Sequence, residues 1–426
     1  MVGKVDSILN EVLEKIKPSG EELKFINGKL EEFIKQFNLN ARKLKIKAES
    51  FVGGSFAKDT VIKKDYYDVD VFIRFDKVYN EEKISEFTAR ILKKFSNNFK
   101  TIHGSRDYFR IRAGPKFFIE IIPVMKVDKP TQALNITDLS YSHVKYVKRK
   151  AKGKTLEGIR LAKAFCHANK CYGAESYING FSGYSLELLI CYYGSFLKMV
   201  RAFAKADRGK IVIDIERKYK TKNMIMIDVN SSKLMSPIIL IDPTFKQRNA
   251  AAALSKETFE RFKKACKKFL KNPSVKSFEV VKTDLEKVKK NALKNKNEFI
   301  LLEAMTKKQE GDVAGSKLMK FHNHLTEEIE RYFVVKNKGF NYNDKKAARM
   351  FFVVKSKKEI ILNGPMVVQK DNVKKFKKAH KRTFVKGKKV YAKEKVGFDL
   401  KKFIESWKKK KSKRMREMSV VGFKIV

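Results

Sequence analysis

Residues 53–70 read Gly-Gly-Ser-Phe-Ala-Lys-Asp-Thr-Val-Ile-Lys-Lys-Asp-Tyr-Tyr-Asp-Val-Asp. Asp68 and Asp70 stand two apart in Asp-Val-Asp-Val-Phe-Ile-Arg-Phe, a run whose β-rich composition predicts a strand. On a strand both carboxylates project from one face, while Val69, Val71 and Ile73 project from the other. Parallel carboxylates facing water repel each other, and a divalent cation relieves that repulsion. Upstream, Glu49-Ser-Phe-Val predicts a strand ending at Gly53-Gly54-Ser55. The glycines let backbone N–H groups approach a phosphate, and a helix starting near Ser55 would add its positive N-terminus. One pattern therefore supplies a phosphate cradle and a metal site, the needs of nucleotidyl transfer.

A third carboxylate stands in Lys116-Phe-Phe-Ile-Glu-Ile-Ile-Pro-Val124, an apolar strand with a single charge, Glu120, in its middle. Tyr108-Phe-Arg-Ile-Arg precedes it across an Ala113-Gly114-Pro115 turn, so the two form a hairpin. A lone glutamate in so apolar a run is costly to bury unless paired or metal-bound. Asp68, Asp70 and Glu120 are thus the candidate catalytic and metal-ligating set.

The elements that must position these residues follow from periodicity. Two helices open the chain, broken at Pro18-Ser-Gly20, and strands dominate from about 45 to 125 with a helix near 82–98, giving a small α+β catalytic domain. Residues 154–203 read as mostly helical with a break at Gly180-Phe-Ser-Gly183, and 210–240 as strands and loops. A helix follows from Ser255 to Asn272-Pro273. Further on, strands are expected at 298–303, 350–354 and 359–362, the last followed by a Gly364-Pro365 turn, with an amphipathic helix over 318–333. A separate small α/β domain is expected at about 296–370.

The chain has 426 residues and 43% hydrophobic content, enough for several domains with real cores. Its 96 Lys and Arg against 47 Asp and Glu give +49, a surplus that calls for a polyanion, most simply nucleic acid. The end is densest: residues 371–426 hold 21 Lys and Arg against 5 Asp and Glu. The four cysteines show no Cys-x-x-Cys spacing and read as reduced core residues, so neither zinc nor a disulfide framework is expected. No secretory leader or membrane span is legible, so a cytoplasmic protein without membrane association is expected.

The centre of the chain decides the family. Cys171-Tyr-Gly-Ala-Glu-Ser-Tyr-Ile-Asn-Gly-Phe-Ser-Gly-Tyr-Ser-Leu-Glu-Leu-Leu-Ile-Cys-Tyr-Tyr-Gly-Ser-Phe196 closely resembles the archaeal-type, class I CCA-adding enzymes, the tRNA nucleotidyltransferases of the polymerase-β-like superfamily. Leu240-Ile-Asp-Pro-Thr-Phe-Lys-Gln-Arg-Asn249 resembles their Asp-Pro…Arg-Asn segment, and the similarity runs from about residue 5 to 400. The resemblance implies an α+β multidomain protein: a polymerase-β-like nucleotidyltransferase head at 1–135 and a helical and mixed neck at 136–255 that recognises the base. An RNA-binding body would comprise 256–295 and 371–426, and a small α/β RNA-binding tail 296–370.

It also implies site residues. Gly54, Ser55 and Lys58 would hold the triphosphate, with lysine at 58 where the family usually has arginine. Asp68, Asp70 and Glu120 would ligate Mg2+; many members have aspartate at the third position. His143, Lys163 and Tyr172 match neck positions that contact phosphate, ribose or base, and Asp242 and Arg248 match the pair that presents hydrogen bonds to the incoming base. The implied reaction transfers CMP, CMP and then AMP from CTP and ATP to the 3′ end of tRNA without a template, with release of pyrophosphate. Contacts would run over the acceptor and TΨC arms, and a homodimer is expected because family members are often dimers. Two alternatives stay open: another polymerase-β-type enzyme such as a poly(A) polymerase or oligonucleotide synthase, or an RNA-binding relative without catalysis.

Overall fold

The capping box at Ser19, whose hydroxyl accepts from Glu22 N while Glu22 accepts from Ser19 N, starts the second helix immediately after the Pro18 break. The computed structural model describes residues 2–426 apart from 105, 208, 282, 309, 343 and 344. The chain divides into two compact units, residues 1–281 and 282–426.

The first unit begins with helices α1 (Val2–Ile16) and α2 (Gly20–Lys43), strand β1 (Ala48–Val52) and the single turn α3 (Gly54–Ala57). Strand β2 (Tyr67–Phe75), helix α4 (Glu81–Leu92) and strands β3 (Phe99–Ile102), β4 (Tyr108–Gly114) and β5 (Phe117–Met125) follow. The five strands form one sheet in the order β1-β2-β5-β4-β3, with β2 parallel to β5 and the other pairs antiparallel. The apolar alternates of β2 and β5, Val69, Val71, Ile73, Ile119 and Ile121, are buried against Ile26, Leu30, Phe33 and Phe37 of α2 and Ile84 and Ile91 of α4. Asp68, Asp70, Arg110 and Glu120 lie on the other face, which also carries Phe72 and Ile122. Helix α4 stops at Leu92, short of the expected 98, and β3 falls within the stretch where strands were expected without having been singled out. Phe95 lies beyond the helix and still packs its ring on Phe33 at 5.7 Å, so its apolar spacing reflects core contact made from a turn.

Helices α5 (Ser140–Lys150), α6 (Lys154–Ala168), α7 (Gly183–Tyr193) and α8 (Phe196–Lys205) follow. Strand β6 (Ile211–Asp214), helix α9 (Lys222–Asp228), strand β7 (Ile238–Ile241) and helix α10 (Lys256–Lys271) complete the unit. Phe165 sits at the centre of an aromatic core with Phe196, Phe262, Phe269 and Phe278, and Leu9 and Val12 of α1 join the same cluster. Helix α9 stands where strands and loops were expected; the Thr221 cap starts it and burial of Ile225 holds it. Cys166, Cys171 and Cys266 are buried free thiols of this unit, and Cys191 is a half-buried one.

The second unit contains helix α11 (Leu285–Lys294), strand β8 (Glu298–Thr306), helix α12 (Asp312–Glu330), and strands β9 (Phe333–Tyr342), β10 (Ala347–Ser356) and β11 (Glu359–Met366). Helix α13 (Lys370–Ala379), strands β12 (Thr383–Lys386) and β13 (Lys389–Lys395), helices α14 (Leu400–Lys410) and α15 (Ser412–Glu417) and strand β14 (Val420–Ile425) end it. One sheet runs β14-β8-β10-β9, with α12 and α14 packing Leu318, Phe321, Phe403 and Trp407 into its core; a smaller sheet runs β11-β13-β12. The larger sheet thus takes strands from both the 296–370 and the 371–426 stretches. Gly364 and Pro365 do not follow β11 as a turn but lie inside it, at a register shift between Asn363 and Met366. An edge strand tolerates the missing Pro N–H at such a bulge. Among the described residues no helix is long and apolar enough to cross a membrane.

Candidate active site

The site is built on the polar face of the five-stranded sheet. In the parallel β2–β5 pairing Asp70 lies directly beside Glu120, and in the β5–β4 pairing Glu120 lies beside Arg110, so one row crosses three strands. Asp68, two residues along β2, shares the face and bonds to the Arg110 guanidinium, whose Nε is 3.4 Å from Glu120. Asp70 has no hydrogen-bond donor among the described residues. Burial, opposed by Lys58 and reinforced by Asp68, pushes its carboxyl up to about 6. Burial together with Asp70 and Asp68 pushes Glu120 up to about 7 against the pull of Arg110.

The glycine turn reaches this row. Gly53 N donates to Asp70 O at 2.8 Å, continuing the ladder past the end of β1. A Cβ on Gly53 would lie 2.2 Å from the Phe72 ring, and one on Gly54, whose φ is +58°, would lie 1.8 Å from Asp70 Oδ2. Only glycine fits a backbone in the left-handed region pressed against the carboxylate. Ser55 is half-buried at the start of α3, and its carbonyl accepts from Thr60 N at 3.0 Å.

Behind the turn lies a buried charged cluster. Glu187 of α7 accepts from Lys58 Nζ at 2.6 Å on one oxygen, and from Lys163 Nζ at 2.8 Å and Thr60 Oγ1 at 2.9 Å on the other. Burial alone would raise the Glu187 carboxyl, but the two lysines hold it down to about 2. Burial lowers Lys163 to about 8 despite Glu187. Tyr172 stands beside this cluster: its ring stacks on His167 at 3.9 Å, and a Cβ on Gly183 would lie 3.0 Å from its hydroxyl and 3.9 Å from Lys163 Nζ.

A second polar cluster surrounds Asp242. Its carboxylate accepts from Arg248 at 2.7 Å, His143 Nε2 at 3.1 Å, the Tyr184 hydroxyl at 3.0 Å, and Thr244 N and Oγ1, each at 2.8 Å. Burial alone would raise this carboxyl; its donors hold it well below the usual range. An ionised carboxylate only accepts, so Nε2 of His143 carries the proton, and burial of the ring favours its neutral form. The His143 ring stacks on Tyr184 at 4.0 Å, and Lys58 and Arg248 lie 5.8 and 5.6 Å from the Tyr184 ring centre. Asp242 is fully buried with five donors and has no capacity left for a ligand, whereas Arg248 retains exposed surface. The structure therefore brings Asp68, Asp70, Glu120 and Gly54 into one group, Lys58 and Lys163 into a second, and His143, Asp242 and Arg248 into a third.

Residues 157–279 match the family described as tRNA nucleotidyltransferase, second domain, and residues 4–155 match the Second Messenger Oligonucleotide or Dinucleotide Synthetase domain. A CCA-adding enzyme of Methanocaldococcus jannaschii is 29% identical over 399 residues, covering 91% of this chain and 87% of that one. One of Nanoarchaeum equitans is 40% identical over 210 residues, which is 49% of this chain and 52% of that protein's length. One of Saccharolobus islandicus is 31% identical over 327 residues, covering 76% of this chain and 72% of that protein. The chain belongs to the CCA-adding enzyme family. The polymerase-β-like fold is seen independently in a cytoplasmic RNA terminal U-transferase (TM-score 0.51, 14% identity, 66% of this chain and 99% of that one) and in the Cid1 poly(U) polymerase (TM-score 0.51, 14% identity, 65% and 98%).

Within a CCA-adding enzyme, the acid row can be tested as a cation site on its own chemistry. As the side chains stand, no trio of His, Cys, Asp or Glu among the described residues is grouped closely enough to hold an ion, and Asp68 is turned onto Arg110. The donor set nevertheless suits a hard divalent cation: all ligand atoms are oxygens, Asp70 accepts no side-chain hydrogen bond among the described residues, and the carboxylates repel one another. Arg110 competes for two of the three. Arg110→Ala is expected to raise Mn2+ affinity, read by electron paramagnetic resonance on the free protein, by roughly ten-fold. Equal or weaker binding would mean Arg110 supports the site.

Four residues of the site went unread in the sequence: Arg110, Thr60, Tyr184 and Glu187. Glu187 carried the same signal as Glu120, a single carboxylate in an apolar run (Leu186-Glu-Leu-Leu-Ile190), here on a helix. Arg110 was readable from the hairpin, since pairing across Ala113-Gly114-Pro115 sets it opposite Glu120. Tyr184 precedes Glu187 by three residues, a spacing that puts both on one face of α7. Thr60 carried no signal.

Proposed function

We propose that the protein adds C, C and A to the 3′ end of tRNA, using CTP and ATP. The observation that supports this best is Asp70, which accepts no side-chain hydrogen bond among the described residues, beside Glu120 at the mouth of a turn that only glycine can make, in a chain of the CCA-adding enzyme family. The terminal ribose oxygen attacks the α-phosphorus, the bond to the β-phosphate breaks, pyrophosphate leaves, and the hydroxyl proton passes to solvent. Asp68, Asp70 and Glu120 would hold Mg2+, which when bound neutralises the triphosphate and acidifies the ribose hydroxyl. Gly54 and Ser55 present backbone N–H groups to the phosphates, and Lys58 adds its charge. His143, Lys163 and Tyr172 shape the neck side of the nucleotide site. Positioning and charge neutralisation carry most of the rate in such chemistry.

Base choice is assigned to Arg248. Asp242, saturated by its five donors, acts as the anchor that aims Arg248 and His143. Cytosine and adenine share an exocyclic amine beside a ring-nitrogen acceptor, which a guanidinium together with the RNA 3′ end can favour over uracil and guanine. The head (1–135), neck (136–255), body (256–295 and 371–426) and tail (296–370) division is retained as part of this proposal. The basic body and tail would follow the acceptor and TΨC arms by shape and backbone, in a cytoplasmic homodimer. Affinity for tRNA is then expected to fall steeply with salt, with a log–log slope of about −0.7 to −0.9 per phosphate neutralised. The function is tested by offering each labelled nucleoside triphosphate singly to tRNA transcripts ending before CCA and after CC. CMP on the first and AMP on the second support the reading; UMP tails of the kind a poly(U) polymerase makes would overturn it.

A further inference from the structure

We infer that Glu187 is a positioning residue of the triphosphate site: it holds Lys58 by one N–H and leaves the other two for an incoming phosphate. This rests on the function proposed above. The hydrogen bonds divide the two lysines. Lys163 spends its three donors on Thr60 O (3.2 Å), Thr60 Oγ1 (2.7 Å) and Glu187 Oε1 (2.8 Å), so it has none left for a ligand. Thr60 in turn donates to the same Glu187 oxygen. Lys58 makes one hydrogen bond among the described residues, to Glu187 Oε2, although its side chain is 8% exposed. Both lysines are expected at the nucleotide; in this arrangement the three N–H groups of Lys163 are engaged by Thr60 and Glu187, and two of Lys58 are not.

Charge points the same way. Two ammonium groups and one carboxylate leave the buried cluster with one uncompensated positive charge. A buried net charge is costly unless something pairs with it, and the cluster lies behind the glycine turn, where Lys58 acts on both Asp70 and His143. A phosphate group is the anion that would complete it. The groups facing Lys163 are Thr60, Lys58 and Lys64 from the segment after α3, Tyr172 beyond α6, and Gly183 and Glu187 of α7. Loss of the Lys163 proton, near pH 8, leaves Glu187 and Lys58 as a neutral pair and removes the attraction for phosphate.

The test is calorimetric titration of the full chain with ATP and with adenosine, free of divalent metal, between pH 7 and 9.5. In the wild type, ATP affinity is expected to fall by up to roughly ten-fold per pH unit above the Lys163 value, levelling off only where the ATP complex also loses that proton, while adenosine binding stays flat. In Glu187→Gln, Lys163 loses the carboxylate that favours its charged form, so it gives up its proton at lower pH, and Lys58 loses its hold. ATP should then bind roughly ten-fold more weakly at pH 7, with a smaller further fall in this range. Flat ATP affinity in the wild type overturns the inference without any variant being made. So does tighter ATP binding by Glu187→Gln, which would mean Glu187 only dilutes positive charge. CCA addition by the wild type, run alongside, separates these outcomes from failure of the proposed function.

Discussion

Asp70→Ala is expected to lower nucleotide incorporation by about 10³-fold or more while leaving tRNA affinity within about two-fold. The carboxylate lies beside Glu120 in the β2–β5 register and has no donor among the described residues, so it contributes nothing to the fold that must be replaced. RNA affinity comes from phosphate contacts distributed over a chain of net charge +49, and one acid in the catalytic row barely changes that sum. A stability measurement sharpens the point. Burial holds the folded carboxyl at about 6, above its ordinary value of 3.8, so above about pH 6 the charged group opposes folding. Asp70→Asn should therefore gain on the order of 2 kcal/mol at pH 8, and the gain should fade as the pH falls toward 4. Lost activity with raised stability marks a site group; a loss of both would mean that Asp70 is structural.

Gly54→Ala should be nearly as damaging to catalysis, for a steric reason. Its φ of +58° costs a side chain about 1–2 kcal/mol, and the added Cβ would lie 1.8 Å from Asp70 Oδ2. The carboxylate must then move, and a displacement near 1 Å at the reacting centre costs about 10²-fold in rate. Gly194→Ala supplies the comparison: its φ is +77°, at the end of α7, with nothing within 4 Å of the added Cβ. The two variants should lose similar stability, read by thermal unfolding, but only Gly54→Ala should lose incorporation. Equal activity in both would show that the turn does not aim Asp70.

What the sequence made legible was whatever a short-range pattern encodes. Alternation in Asp-Val-Asp-Val-Phe put Asp68 and Asp70 on one face of β2, and the same period isolated Glu120 on β5. The glycine turn was readable because only one residue type fits it. Partnerships across long sequence separations were not. Lys58 meets Glu187 across 129 residues and His143 meets Asp242 across 99, and no local period predicts either. The same limit concealed the saturation of Asp242: the Asp-Pro…Arg-Asn segment names the residues, but only the folded donors from α5 and α7 show which one still has capacity. Helix α9 and the bulge at Gly364-Pro365 were misread because burial and edge position overrode propensity there.

The measurement that tests the central claim most directly is product length. A tRNA transcript lacking its last three nucleotides is incubated with magnesium, CTP and ATP, and products are resolved at single-nucleotide resolution. Three additions, C, C and A, followed by a halt are what this site in this family predicts. Long homopolymer tails, or tight salt-sensitive tRNA binding with no incorporation by the wild type, would contradict it.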